Sequence, residues 1–449
     1  MSTKDTADRF MAASPFAVMT RVLAQTFMGS HLDEIFEEHR GQQYERQVKF
    51  SALAIAVADV ALQFSDNFNQ AYKSHQKDLN VSLQSFYDKI NGTDTQLSEA
   101  VVARSALPVI ALQDQLGFEP WEVIPGYRCF SIDGNVLAKS DKRLGVLRDV
   151  KGAPLPGKAV ARFDLQRQIF DRVYLLADGH AQESTTCESI LEDLLENDVI
   201  IADRHYCVLS FFAGIANRKA AFVIRQHGRL KGVLLGKRRC LGRIETGVVY
   251  EQALQVSQSP DAMVVRRITV ELDEPTRDGD TEIHILTNLP TSVNAKTIAN
   301  AYRHRWEEET AFNILQMTLT CELSQVGHPN AALLLFCLSM LAFNLRQVLF
   351  ACLFAVHSLE DVEAVSHFHL SKEVSNHTPG MLVAISAEEW DELIPATIAG
   401  VAKLLKAIAS QIDIKKYRKA KRGPKKKKPH RSRNVASSHV STAKLLNLV

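Results

Sequence analysis

Tyr302, Arg305, Glu309, Phe312 and Gln316 follow one another at intervals of three, four, three and four residues. On a helix of about 3.6 residues per turn this spacing gathers them within an arc of about 80°. Ile298 lies on the same line one turn earlier, so a face that begins apolar becomes phenol, guanidinium, carboxylate and amide. Polar groups on a core-facing stripe are costly unless partnered, and a stripe of this make-up is a candidate for holding something charged. The plain alternative is an Arg–Glu pair on a solvated face, worth about 0.2–0.5 kcal/mol. Two further acids, Asp133 and Asp203, each end a β-rich apolar run and precede residues that turn the chain. Strand ends are where α/β scaffolds set binding carboxylates, although Asp there also serves as a turn or cap residue. Together the three acids supply the oxygen ligands that two hard divalent cations need, one beside an attacking oxygen and one beside a leaving oxygen. The predicted catalytic and metal-holding residues are therefore Asp133, Asp203 and Glu309. Glu307 and Glu308 point about 160° and 100° away from Glu309 round the helix.

The elements that must position these residues are legible in the periodicity. Residues up to about 120 have helical spacing, as in Phe50 to Phe64. From Tyr127 the pattern changes. Tyr127 to Ile132, Ala159 to Phe163 and Ile169 to Ala177 are short β-rich runs separated by Pro, Gly and Asp, which predicts adjacent antiparallel strands. Thr185-Thr186-Cys187-Glu188 reads as a capping box that opens a helix to about Glu196. Val199 to Ala202 is a continuous apolar run suited to a buried strand ending at Asp203. A helix to Asn217 and a strand at Ala221 to Arg225 follow, then a β-rich insertion over about 228–280, a strand at Glu282 to Asn288 and one long helix from Asn294 to about Leu319. That order is mixed α/β.

Ala331 to Val356 is long and apolar enough to cross a membrane, but Asn344, Arg346 and Gln347 interrupt it. A charge at a membrane centre costs about 2.5–3.5 kcal/mol, so a core helix that is apolar all round is the expectation, with no membrane partner. Ser386-x-x-Glu389 is a second capping box, opening a helix to about Ile412.

The 449 residues are 46% hydrophobic and 23% charged, an ordinary globular composition that excludes a fibrous or wholly disordered chain. Seven scattered cysteines with no Cys-x-x-Cys pair predict reduced thiols, without a structural zinc or a disulfide framework. The first residues lack a signal-like apolar segment, and the expected location is the cytoplasm. Net charge is only +2, yet twelve Lys or Arg and no acid fall between Lys415 and Arg433. A basic tail on an acidic body implies a polyanionic partner, most simply nucleic acid. By its composition this tail should be disordered when free.

Tyr302-Arg-His-Arg305-Trp-Glu-Glu-Glu309 resembles the Tyr-x2-Arg-x3-Glu-x6-Lys signature of the bacterial insertion-sequence DDE transposases often called type four. Ser131-Ile132-Asp133-Gly134 resembles that family's first catalytic segment, and Ile200-Ile201-Ala202-Asp203 its second. The resemblance covers roughly Tyr127 to Arg346. It implies a ribonuclease H-like core with a β-rich insertion, flanked by N- and C-terminal helical regions. The corresponding divisions are 1–120 for the helices, with DNA-end binding, 121–355 for the core, 356–412 for the C-terminal helices and 413–449 for the tail. It further implies two Mg²⁺ ions, replaceable by Mn²⁺, cut-and-paste transposition between inverted element ends and target DNA, a homodimer in the end complex, and a nucleoid-associated bacterial protein.

In that reading Tyr302 and Arg305 hold DNA phosphates, as an Arg fork suits. The family's Lys falls at Gln316, and His205 stands where a small residue is usual; these departures leave an inactive DNA-binding descendant as the alternative. Lys237, Arg238 and Arg239, in a run of seven basic residues from Arg225 to Arg243 without an acid, and Lys425, Lys426, Lys427 and Lys428 in the tail are the expected backbone contacts. Trp306, off the stripe, is expected to pack.

Overall fold

The computed structural model describes residues 3–41, 43, 48–141, 154–256, 263–276, 279–420 and 423. The apolar spacing of the first 120 residues is realised as helices: α1 (Thr3–Ala13), α2 (Pro15–Met28), α3 (Ser30–His39), α4 (Phe50–Ala61), α5 (Phe68–Ser74), α6 (Gln76–Leu79), α7 (Leu83–Asn91) and α8 (Thr95–Gln115). Asn67, Ser82 and Asp94 set the starts of α5, α7 and α8 by accepting a backbone N–H of the first turn.

The β-rich runs pair as predicted. Strands β1 (Arg128–Val136), β2 (Lys158–Asp164) and β3 (Ile169–Leu176) are antiparallel neighbours. After α9 (Cys187–Glu192), strand β4 (Asp198–Ala202) runs parallel to β1, and after α10 (Leu209–Asn217), β5 (Ala221–Arg225) runs parallel to β4. Every residue of β4 is buried, the reason its sequence is an unbroken apolar run. The segment read as an insertion contributes β6 (Val233–Ile244), β7 (Gly247–Gln255) and β8 (Val264–Leu272), which pair in succession and join β9 (Glu282–Thr287). These strands continue the main sheet, which has nine described strands in the order β3-β2-β1-β4-β5-β9-β8-β7-β6. The architecture is mixed α/β around one large mixed sheet.

Three local expectations are corrected. The Thr185–Glu188 capping box does not form: Thr185 and Thr186 turn their hydroxyls back to the carbonyls of Gln182 and Glu183, and a short 3-10 turn over Glu183–Thr186 leads into α9. The long helix from Asn294 is two, α11 (Ala295–Arg303) and α12 (Arg305–Met317), divided at His304, whose ring abuts the Trp121 indole at 4.3 Å and binds Glu307 at 2.6 Å. The Ser386 capping box is present, but its helix α16 (Ala387–Leu393) stops before Pro395, and α17 (Ile398–Ala409) starts afresh from Thr397.

The apolar run after residue 328 becomes α13 (Pro329–Phe354), followed by α14 (Leu359–Glu363) and α15 (His367–Ala384). Helix α13 is long and apolar enough to cross a membrane by composition, yet 94% of its most apolar window is buried inside the protein. Its polar residues have internal tasks. The Asn344 amide accepts the Phe170 N–H at 2.8 Å and donates to the Phe170 carbonyl at 2.7 Å, so a side chain pairs the outer edge of β3 as a neighbouring strand would. Arg346 donates to Thr318, Ser371 and the His367 carbonyl; the His367 imidazole is pushed down to about 3 by its own burial, and the Arg346 charge adds to this.

The start of the basic tail is ordered rather than free. Tyr417 packs edge-on against Phe16 at 4.7 Å, Arg418 binds Asp361 at 2.5 Å, and Lys419 donates to the Glu363 carbonyl. Lys425, Lys426, Lys427 and Lys428 lie outside the described residues.

Replacing Asn344 by Leu strands both backbone groups of Phe170 in an apolar setting. Asn344→Leu is expected to lose on the order of 2–6 kcal/mol, from two unmet backbone groups at about 1–3 kcal/mol each. Denaturant unfolding checks this, and a loss under about 0.5 kcal/mol, the range of an ordinary surface change, would refute the edge-pairing role.

Candidate active site

The site begins with the register of two parallel strands. Ile132 of β1 lies opposite Ala202 of β4, so Asp133 and Asp203, one residue further along, stand side by side at the same sheet end. Side chains alternate along a strand, and Ser131, Asp133 and Asn135 therefore share one face of β1. Helix α12 crosses that face and meets each of them. Glu308 accepts from the Ser131 hydroxyl, Arg305 Nη1 donates to Asp133 Oδ2 at 3.0 Å, and Gln316 Nε2 donates to Asn135 Oδ1 at 3.3 Å. The other end of the Arg305 fork, Nη2, donates to Glu309 Oε1 at 2.9 Å. One buried guanidinium thus joins Asp133 to Glu309.

Asp203 is held from its own turn: Oδ1 accepts the His205 N–H at 2.7 Å, and His205 Nδ1 lies 3.1 Å from Oδ2. Asp203 therefore caps the 3-10 turn Arg204–Tyr206 while it faces the site, both of the roles open to an Asp at a strand end. Tyr302, the last but one residue of α11, is buried near the Arg305 guanidinium, and burial raises its phenol above the usual range.

The electrostatics follow from this crowding. Burial pushes the Asp133 carboxyl up to about 6, the nearby carboxylates of Asp203 and Glu183 add to that, and Arg305 with the Gly134 N–H opposes it. Glu308 is sealed from solvent, and burial raises its carboxyl well above the ordinary range, with Asp133 adding to the rise. Glu309 keeps a third of its side chain exposed. The angular argument that separated Glu309 from Glu308 is therefore realised as an accessible acid beside a sealed one.

Glu183 was not singled out from the sequence. It reaches the site from the turn before α9, so close over β1 that a methyl group on Gly134 would stand 2.4 Å from its Oε1. Lys158 Nζ lies 3.8 Å from the Glu183 carboxylate. A glycine directly after the first acid was the visible signal; the acid it accommodates lies fifty residues away in the chain.

Asp133, Asp203 and Glu309 offer only oxygen, the donor set of Mg²⁺, Mn²⁺ or Ca²⁺. Asp133 is raised mainly by burial, which a bound cation would offset by favouring its ionised form, and the residues are suited to a divalent cation. Arg305 lies between Asp133 and Glu309, and among the described residues no three acids, histidines or cysteines are gathered into a finished cage.

The expected DNA contacts divide. Arg238 pairs with Glu271 at 2.6 Å and stacks over Tyr250, and Arg239 pairs with Glu251 at 2.8 Å, so neither is free on β6; Lys237 is exposed. Trp306, expected to pack, is instead 60% exposed, with the Arg305 guanidinium 5.3 Å from its ring centre.

Residues 158–345 match the family model described as the transposase DDE domain. The matched span contains Asp203, Tyr302, Arg305 and Glu309, and Asp133 lies ahead of it, brought in by the β1–β4 pairing. No curated protein matches the chain. A solved piggyBac transposase synaptic complex with hairpin DNA is similar at 9% identity, over 87% of this chain and 85% of that one, with a TM-score of 0.44. The DDE match supports a transposase.

Gly134→Ala drives a methyl into Glu183, and overpacking of this kind costs on the order of 1–3 kcal/mol. Adding Glu183→Ala should restore most of the loss. Unfolding midpoints of the single and double variants decide it, and a single variant as stable as the parent would remove Glu183 from the position described.

Proposed function

We propose that the chain is a DDE transposase of the insertion-sequence type-four kind, which cuts at the inverted ends of its own element and joins them to target DNA. The observation that carries the reading is the side-by-side placement of Asp133 on β1 and Asp203 after the parallel strand β4, next to the Arg305–Glu309 pair, within a chain that matches the transposase DDE domain over residues 158–345. The strand order β3-β2-β1-β4-β5, antiparallel across its first three members, supports a ribonuclease H-like core.

In this reading Asp133, Asp203 and Glu309 hold two Mg²⁺ ions, with Mn²⁺ as a substitute. The bound ions supply Lewis acidity and charge neutralisation at the phosphoryl oxygens. The chain itself holds the carboxylates in fixed register, Asp133 through its Gly134 N–H bond and Asp203 through the His205 N–H. Arg305 serves as the counter-ion of Asp133 and Glu309 until it is released; its planar fork is then available to bind phosphate oxygens in two places. Gln316, engaged with Asn135, offers a neutral amide where the family carries a cation. No covalent protein nucleophile is required, because phosphoryl transfer rests on positioning and charge stabilisation. End binding by the N-terminal helices, a homodimer that cuts two ends together and a nucleoid-associated, cytoplasmic location complete the proposal.

Asp133→Ala, Asp203→Ala and Glu309→Ala should each abolish cleavage of a plasmid carrying the element's ends while leaving binding in Ca²⁺ nearly intact, since affinity comes mainly from basic contacts. Cleavage retained in one variant removes that residue from the site. A wild-type protein that binds the ends and never cuts them would be the inactive descendant instead.

The raised Asp133 carboxyl gives a pH dependence with a definite sign. Its folded value of about 6 lies above the ordinary 3.8, so ionising it costs stability as pH rises through that interval, and a bound cation offsets the cost. Below about pH 6 the proton competes with the cation, and Ca²⁺ affinity measured by calorimetry should fall by up to about tenfold per pH unit. An affinity unchanged between pH 7 and pH 5 would show that Asp133 is not a ligand.

A further inference from the structure

Beside the acids lies an open cleft of about 680 Å³, walled by the turn before α9, the turn after β4 and the connection from β5 to β6. Three permanent cations line it, Lys158, Arg204 and Arg229, together with His180 and His227, and Glu183 is the carboxylate among its lining residues. Lys158 is committed, donating to the Ala181 carbonyl at 2.8 Å and facing Glu183. Arg204 and Arg229 are exposed, and neither side chain has a hydrogen-bond or ion-pair partner among the described residues. Asp280, which feels the charge of Arg204, is already held by Arg225 at 2.6 Å. The contrast with β6 is direct. There Arg238, Arg239 and Arg243 are bound to Glu271, Glu251 and Asp273 at 2.6–2.8 Å.

We propose that this cleft is a binding site for the phosphate backbone of a DNA strand, with Arg204 and Arg229 as its contacts, and that it delivers that strand to the acids. The inference rests on the transposase reading for the substrate's identity, while the chemistry of the cleft requires only a polyanion. Unpaired guanidiniums bind phosphate oxygens through a rigid two-point fork. Arg238 and Arg239 would first have to break their carboxylate pairs. The cleft is also continuous with the site: His205 lines it while its N–H holds Asp203, and Glu183 lines it while lying over Gly134 next to Asp133. A strand held along the basic wall therefore abuts the two strand-end acids. Glu183 marks the border, repelling phosphate from the stretch between wall and acids unless cations are bound there.

The test uses the full chain, a short mixed-sequence DNA duplex in Ca²⁺, and fluorescence anisotropy over a salt series. Each neutralised phosphate contributes about 0.9 to the slope of log K against log salt. Arg204→Ala and Arg229→Ala should each flatten the slope by nearly one unit and weaken binding about equally for all sequences. The double variant should lose nearly two units, and Arg243→Ala, whose guanidinium is already paired, should lose none. Both arginines are exposed, so thermal melts matching the parent exclude misfolding as the cause.

Slopes unchanged in both single variants and the double variant overturn the proposal. Saturable binding of inorganic phosphate without binding of the duplex also overturns it, in favour of a small phosphate ligand. The two readings fail separately. If Asp133→Ala loses cleavage and the arginine variants are silent, the cleft falls and the transposase stands. If the wild type cuts no DNA and the arginines still set the slope, the cleft stands and the transposase reading falls.

Discussion

The arrangement turns on like charges forced together by strand register. Parallel pairing of β1 and β4 fixes Ile132 opposite Ala202, and the next residue on each strand is an aspartate. Two carboxylates side by side where the β1–β4 pairing ends, with burial holding Asp133 up at about 6, favour a positive partner. In this state Arg305 supplies it, bound to Asp133 on one arm and Glu309 on the other. Through this guanidinium the first turn of α12 is fastened to β1.

A second tier of structure keeps β1 and β4 in place. Helix α13 lies buried behind the sheet, and its Asn344 satisfies the backbone of edge strand β3 at Phe170. Polar residues in an apolar helix are thereby accounted for as an edge seal and, in Arg346, as a knot joining α13 to α15 and to Thr318 beyond α12. The same apolar helix packs against the N-terminal bundle, so the first hundred residues share a hydrophobic core with the main sheet.

Basic residues are sorted by what already binds them. The arginines of β6 sit on a twisted ribbon whose neighbours carry glutamates, and they serve the sheet as cross-strand pairs. Arg204 and Arg229 project from turns without such neighbours and keep their charge for a ligand. A count of basic residues along the chain cannot separate these cases; the carboxylates that neutralise β6 come from β7 and β8, which follow the basic run in sequence.

By itself the sequence determined the elements whose signals are local. Short β-rich runs bounded by turn residues set β1 to β3, an unbroken apolar run set β4, helical spacing set the N-terminal helices, and a long apolar run set α13. It also identified Asp133, Asp203 and Glu309 as candidates, because each stands on a short-range pattern, the end of a β-rich run or an i, i+4 partner in Arg305; the end predicted at Asp133 did not hold, since β1 continues to Val136 by pairing with β2. What required the tertiary structure was every relation between distant segments. The capping box at Thr185 failed because its hydroxyls bond the carbonyls of Gln182 and Glu183, and the long helix divides at His304, whose ring meets Trp121, a residue from a distant segment. The strands of the apparent insertion joined the main sheet because β9 offers β8 a free edge. Glu183 enters the site only because β1 carries a glycine beneath it. Short-range periodicity decides which element a segment becomes; strand register and the pairing of buried charge, which act between residues far apart in the chain, decide which side chains meet.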